Sequence, residues 1–221
     1  NEILLVTTAP VIIENDIYIV EMIQSVSQVE SGKDNKKDIC DIENLLKEMN
    51  EDTFRDELTG MYNRKHINKK LPMDINYSIM NNQPICLVMA DIDFFKNVND
   101  NYGHITGDWV LKDFAKLLSN SIRSNLDWVG RYGGEEFLIV LKNTNDENAF
   151  IILEKIRKLV KEKIFEYNGI KIKLTASFGA YSIINNKFIK DKEINIDELI
   201  NKADRNLYIA KNSGRNKTII N

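Results

Sequence analysis

The chain is short of cysteine, has no surplus of positive charge, and carries no apolar run long enough to cross a bilayer. Its two cysteines, Cys40 and Cys86, are isolated in 221 residues. They offer neither the paired spacing of a zinc site nor the numbers of a disulfide framework, so a reducing cytoplasm is expected, with Cys86 a buried and inert thiol. Thirty basic residues stand against 33 acidic ones, a net charge of -3. No nucleic-acid or anionic-membrane partner is announced by such a balance, and any phosphate binding has to be local. The apolar stretch from Ile3 to Ile13 is broken by Thr7, Thr8 and Pro10 and is too short to span. It also lacks the basic leader and cleavage site of a secretory signal. No internal repeat or low-complexity segment is evident. What remains is 43% hydrophobic and 29% charged residues, an ordinary globular composition long enough for one sizeable domain plus an appendage. Because the chain starts at Asn1 rather than methionine, it is expected to be a piece of a longer protein.

Residues 1–30 hold two β-like runs, Ile3 to Val6 and Ile17 to Ile23, joined by the turn-like Glu14-Asn15-Asp16. They read as the closing hairpin of an upstream domain, since a two-stranded piece is marginal alone. Residues 31–55 begin as a polar linker and continue as a helix. Ile39, Ile42, Leu46, Met49 and Thr53 recur at spacings of three, four, three and four, which is a heptad seam of about two repeats. A short coiled coil and an amphipathic helix lying on its own domain both remain open.

Residues 56–221 read as one domain. A turn at Asp56 to Arg64 precedes a helical pattern from about Asn63, in which Pro72 predicts a kink or two pieces ending before Gln83-Pro84. Ile85 to Ala90 is a continuous apolar run of strand length that ends in Asp91-Ile92-Asp93. The two aspartates, at i and i+2, point to the same face. From Phe94 to Asp108 the chain is polar and glycine-punctuated, and is expected to be a long functional loop. Helices follow at about 108–122, 145–163 and 196–212, strands near 170–182, and a last strand at 218–220. Between the first two of these helices, Trp128-Val129 and Phe137 to Leu141 flank Gly133-Gly134-Glu135-Glu136, a strand, tight turn and strand. Paired strands among alternating helices predict an α/β (α+β) domain with a mixed, largely antiparallel central sheet.

Taken singly, each motif has an ordinary explanation: a surface hairpin, strand-terminating acids, an N-capping Asp108, a basic helix end at Lys211 and Arg215 that suits the helix dipole. Taken together, DELTGMYNR at 56–64, DIDFFKNVNDNYGHITGD at 91–108, RYGGEEF at 131–137, SFGA at 177–180 and ADRNLYIAKNSGRN at 203–216 resemble the GGDEF family of diguanylate cyclases, in its GGEEF variant. These condense two GTP molecules into cyclic di-GMP. The resemblance implies a palm-like fold similar to nucleotide cyclases and polymerase palms, and a cytoplasmic signalling enzyme. Residues 1–30 are similar to the closing strands of a PAS-type sensor, without a motif to carry the likeness.

Carried over by resemblance, Asp91, the Ile92 carbonyl, Glu135 and Glu136 would hold magnesium, or manganese in its place, since such cations prefer oxygen ligands. Glu135 would also accept the 3′-hydroxyl proton. Backbone N–H groups of Phe94 and Phe95 would wrap the β- and γ-phosphates. Lys96 would neutralise charge on the leaving pyrophosphate, and Lys211 and Arg215 would contact phosphate. Asn99 and Asp108 would hydrogen-bond guanine, whose N1–H and N2–H donors adenine lacks on that edge. His104 reads as a substrate-pocket residue, because a lone imidazole suits magnesium poorly.

One departure concerns product feedback. Many members carry Arg-x-x-Asp before the signature, and here Ser124 stands at the arginine position of Ser124-Asn125-Leu126-Asp127, with Arg123 displaced by one. Weak or absent high-affinity feedback is expected. Joining two GTP requires two domains face to face, so a homodimer is expected, with the 39–53 seam setting its spacing. The alternatives are a catalytically silent module that binds GTP or cyclic di-GMP, and a contact-making output domain.

Overall fold

A computed structural model describes residues 4–13, 16–25, 54–183 and 195–220. The chain divides into two compact units, Asn1–Asn50 and Glu51–Asn221. In the first, β1 (Leu4–Ile13) and β2 (Asp16–Ser25) pair antiparallel, from Leu4 opposite Ser25 to Ile13 opposite Asp16. The expected hairpin is present, with each strand longer than its apolar run. The heptad seam lies outside the described residues.

The second unit is built on a five-stranded sheet. In chain order its elements are α1 (Arg64–Met80), β3 (Ile85–Ile92), α2 (Phe95–Tyr102), α3 (His104–Asn120), β4 (Trp128–Gly133), β5 (Glu136–Lys142) and α4 (Asp146–Glu162). A small hairpin, β6 (Phe165–Tyr167) and β7 (Ile170–Ile172), comes next, then β8 (Ala176–Ile183), α5 (Ile196–Asn212) and β9 (Thr218–Ile220). The sheet order is β4-β5-β3-β8-β9. Every pairing in it is antiparallel except β8 with β9, so the mixed, largely antiparallel sheet follows the expectation.

All eight residues of β3 are buried, which is why its sequence is a continuous apolar run rather than an alternating one. Alternation reappears in what each residue touches. Cys86, Val88, Ala90 and Ile92 join the core made by α2, α3 and α4, whereas Ile85, Leu87 and Met89 join the core made by α1 and α5. The period of two therefore sorts one strand between two helical layers. Burial raises the Cys86 thiol to about 12, as its reading as an inert thiol requires. At Gly179 of β8 a Cβ would come within 1.9 Å of Leu207 N and 2.4 Å of Ala203 O, so α5 packs backbone to backbone on the sheet.

Two expectations need correction. The stretch from Phe94 to Asp108 is not a loop. It holds α2 and the first turn of α3, and Gly103 (φ +81) makes the only break between them. The apolar signal of α2 was too sparse to read, because only Phe95 and Val98 are buried. Asp108 consequently sits in the second turn of α3, which removes the ordinary explanation of it as an N-cap. Finally, Pro72 neither splits nor ends α1: the helix runs for 17 residues, capped by the Asn63 side chain accepting from His66 N. Buried Ile67, Leu71 and Ile75 outweigh the backbone bond that the proline removes.

Candidate active site

The candidate residues gather where β3 ends. The registers put Asp91 opposite Glu136 on one side and Ser177 on the other. Glu135 stands in the turn between β4 and β5, next to Gly134, whose φ of +51 is the backbone state that favours glycine. A side chain at Gly133 would meet nothing within 4 Å, so the protein itself gives no reason for a glycine there.

The hairpin is held from behind by the turn at Asp56. Its carboxylate accepts from Thr59 N and Thr59 Oγ1 (2.9 and 2.7 Å) and from Arg131 NH1 (3.1 Å), while Arg131 Nε donates to Gly134 O at 2.9 Å. Tyr62 N donates to Val129 O, and Arg131 N to Tyr62 O. The sequence motif at 56–64 thus buttresses the glycine turn, a role not assigned from the sequence.

Asp91 is buried, and Lys211, in the last turn of α5, places Nζ 2.7 Å from its Oδ2. Burial pushes the Asp91 carboxyl up to about 6, with Glu135 and Glu136 adding to the rise and Lys211 opposing it. Glu136 is raised as well, first by burial, then by Asp204 and Glu135 against Lys211 and Arg64. Asp91, Glu135, Glu136 and Asp204 against Lys211 and Arg64 leave an excess of negative charge that a cation would relieve. Among the described residues no three carboxylates or imidazoles converge into a preformed metal cage. The donor set still fits a hard cation whose shell is completed by phosphate oxygens, because every candidate ligand is an oxygen at one end of the sheet.

Asp93, two residues on, is employed differently. Its buried carboxylate accepts from Thr175 Oγ1 (2.6 Å), Ser177 Oγ (2.7 Å) and Asn216 N (2.9 Å). These bonds fix the turn after α5, where Arg215 and Asn216 both take positive φ, 58° and 47°. Arg157 NH1 holds the same turn through Asn216 Oδ1 at 2.8 Å. Arg215 lies over the ring of Phe94, 4.3 Å from its centroid. Phe94 itself is exposed, with φ 57 ahead of α2, and Phe95 is buried as the first residue of that helix. Lys96 is exposed in the first turn. Phe94, Lys211 and Arg215 therefore meet at one end of the sheet with Asp91 and the glutamates.

Asn99 packs against Gly107, the residue before Asp108. A Cβ at Gly107 would lie 1.9 Å from Asn99 Oδ1, so the Asn99 side chain rests on α3 beside exposed Asp108. His104 is exposed at the start of α3, without a described partner that defines a role.

The family described as Diguanylate cyclase, GGDEF domain matches residues 53–217. The chain belongs to the GGDEF family. Diguanylate cyclase A of Treponema denticola is 42% identical over 146 residues, 66% of this chain and 38% of that protein. The response regulator PleD of Caulobacter vibrioides is 33% identical over 166 residues, 74% of this chain and 35% of its own length. The chain thus spans well under half of these curated relatives. Among solved structures, the diguanylate cyclase SiaD of Pseudomonas aeruginosa, in complex with its activator SiaC, superposes with a TM-score of 0.73 at 33% identity, covering 85% of this chain and 68% of that one. The active GGEEF domain of a Vibrio cholerae diguanylate cyclase gives 0.63 at 34%, covering 72% and 96%.

Proposed function

We propose that the chain is the catalytic part of a diguanylate cyclase, which joins two GTP into cyclic di-GMP and releases two pyrophosphates. The observation that carries this reading is the meeting of Asp91, Glu135, Glu136 and Lys211 at the end of β3 and the β4–β5 turn, in a chain matched to the GGDEF family over 53–217. Each 3′-hydroxyl attacks the α-phosphorus of the partner's GTP; the O–P bond to pyrophosphate breaks and the hydroxyl proton passes to Glu135. Asp91, the Ile92 carbonyl, Glu135 and Glu136 are the residues to hold magnesium, or manganese, which would supply Lewis-acid neutralisation of the phosphates.

The chain's own groups do the rest. Backbone N–H groups at Phe94 and Phe95 seat the terminal phosphates, and Lys211 and Arg215 pair with them. Lys96 stabilises the charge that grows on the departing pyrophosphate. Asn99 and Asp108 select guanine, and His104 lies beside that pocket. One domain seats one nucleotide, so a homodimer is needed, with the 39–53 segment as the dimerising element and an upstream sensor controlling it. A cytoplasmic location is part of this proposal and rests on the family resemblance.

Incubation of the chain with GTP and magnesium, scoring cyclic di-GMP and pyrophosphate, tests the proposal, with Glu135→Ala as the inactive control. A silent GTP- or cyclic di-GMP-binding module is the second reading, and the contact of Lys211 with Asp91 favours it to the extent that the lysine keeps a cation away. Binding of GTP by a dimer that forms no product would replace the first reading with the second.

A further inference from the structure

Behind helix α2 lies a groove of about 550 Å³ whose lining shares Phe94 with the proposed phosphate contacts and includes no other residue given a catalytic or substrate-binding role. Its polar lining includes Lys161 from the end of α4, Lys171 and Lys173 on and after β7, and Asn97, Asn101 and Tyr102 from α2. At about 100° per residue, Asn97 and Asn101 lie on the side of α2 opposite Asn99. The groove and the base-binding pair therefore use opposite faces of one helix.

The charge in the groove is one-sided. Lys161, Lys171 and Lys173 are all exposed. Among the described residues Lys161 and Lys173 have no acidic partner, and Lys171 has only Glu166 at 3.9 Å, an exposed contact of little strength. The acid in the lining, Asp93, already accepts from Thr175, Ser177 and Asn216. In a chain of net charge -3, three lysines sharing a concavity with two amides and a phenol form a local anion-attracting site. Its volume falls in the range of small-molecule sites, roughly 300–1,000 Å³.

We propose that this groove binds an oligophosphate-bearing anion through Lys161, Lys171 and Lys173, a lysine set distinct from Lys211 and Arg215, although the two sites adjoin at Phe94. The binding does not rest on the cyclase reading. It is tested by calorimetric titration of the whole chain with inorganic tripolyphosphate at low salt with a chelator present. Saturable binding is expected, weakened about tenfold or more by the combined Lys161→Gln, Lys171→Gln and Lys173→Gln substitutions, and within about twofold of wild type in Lys211→Ala/Arg215→Ala. Circular dichroism melting verifies that each variant folds. Absence of saturable heat at millimolar ligand, or loss of binding only in the Lys211/Arg215 variant, overturns the proposal. Parallel titrations with ADP and pyrophosphate separate the sources. Tighter ADP binding assigns the groove to nucleotides, equal binding assigns it to inorganic oligophosphates, and failure of both overturns it.

Discussion

Adding one methyl group at Gly107 should damage base recognition without damaging the fold. The added Cβ would stand 1.9 Å from Asn99 Oδ1, 3.0 Å from Asn99 Cγ and 3.3 Å from Phe95 Cζ, and contacts below 3.0 Å are essentially never found. Asn99 must therefore swing away by roughly 1 Å or more, a displacement that can cost up to about 100-fold when it misplaces a substrate contact. The fold tolerates this because the obstacle is the end of a flexible side chain, and φ at Gly107 is not positive. Alanine in a helix interior also gains about 0.5–1 kcal/mol over glycine. Gly107→Ala should keep Tm unchanged or raise it by about 2–4 °C, while kcat/KM for GTP falls about 10- to 100-fold and preference over ATP narrows. Gly179→Ala is the contrast: its Cβ meets Leu207 N at 1.9 Å and Ala203 O at 2.4 Å, backbone that cannot step aside, and folding should fail. A Gly107→Ala protein with wild-type melting, GTP kinetics and purine selectivity would refute the placement of Asn99 at the base.

Further outcomes follow from the buried acids. Asp93→Ala removes three hydrogen bonds at once and should cost about 3 kcal/mol in urea unfolding, with KM for GTP raised because the Arg215 turn loosens. Asp127→Ala deprives Lys142 N and the Arg123 guanidinium of their acceptor at 3.0 and 2.8 Å and should cost about 2–3 kcal/mol; abolition of tight inhibitory cyclic di-GMP binding would contradict the internal use of this carboxylate. Asp91, raised to about 6 in the folded protein against about 3.9 unfolded, binds more protons folded than unfolded between those values. Stability is therefore lost as pH rises through that window, so in metal-free buffer Asp91→Asn should gain about 2 kcal/mol over wild type at pH 7 relative to pH 4. A gain that is the same at both pH values would show that burial does not strain this group.

The site was legible where its chemistry is written into motifs, and hidden where it is written into packing. Asp91 and the paired glutamates could be read because an apolar strand ending in acid, and a glycine turn between apolar runs, are local patterns. Their alignment across β3 and β5, Asp91 opposite Glu136, depends on register and could not be. The helix α2 was missed because its amphipathicity rests on two buried residues, and missing it left N-capping open as an ordinary explanation of Asp108. Asp93 looked like a twin of Asp91 from its spacing. What separates them is 82 to 123 residues away in the chain, where Thr175, Ser177 and Asn216 take up its lone pairs. The purpose of Gly107 is equally non-local in kind, since only the position of Asn99 explains it.

The ion pair between Lys211 and Asp91 links nucleotide and cation in the proposed reaction. Both partners are wanted elsewhere: Lys211 by the phosphates, Asp91 by the cation. With neither ligand bound, the lysine offsets one of three carboxylates, and Asp91 remains raised despite it, so the pair does not fully relieve the burial of the acid. In the proposed reaction a triphosphate, with its several anionic oxygens, would compete with Asp91 for Lys211. That removal leaves Asp91 exposed to Glu135 and Glu136 without its cation, which raises the gain from admitting a divalent ion at that moment. Triphosphate and metal are then predicted to bind with positive coupling, measurable as tighter nucleotide binding when magnesium is present and lost in Lys211→Ala. On the proposed reading, the contact between Lys211 and Asp91 would thus make the three-carboxylate site most favourable when the substrate is present.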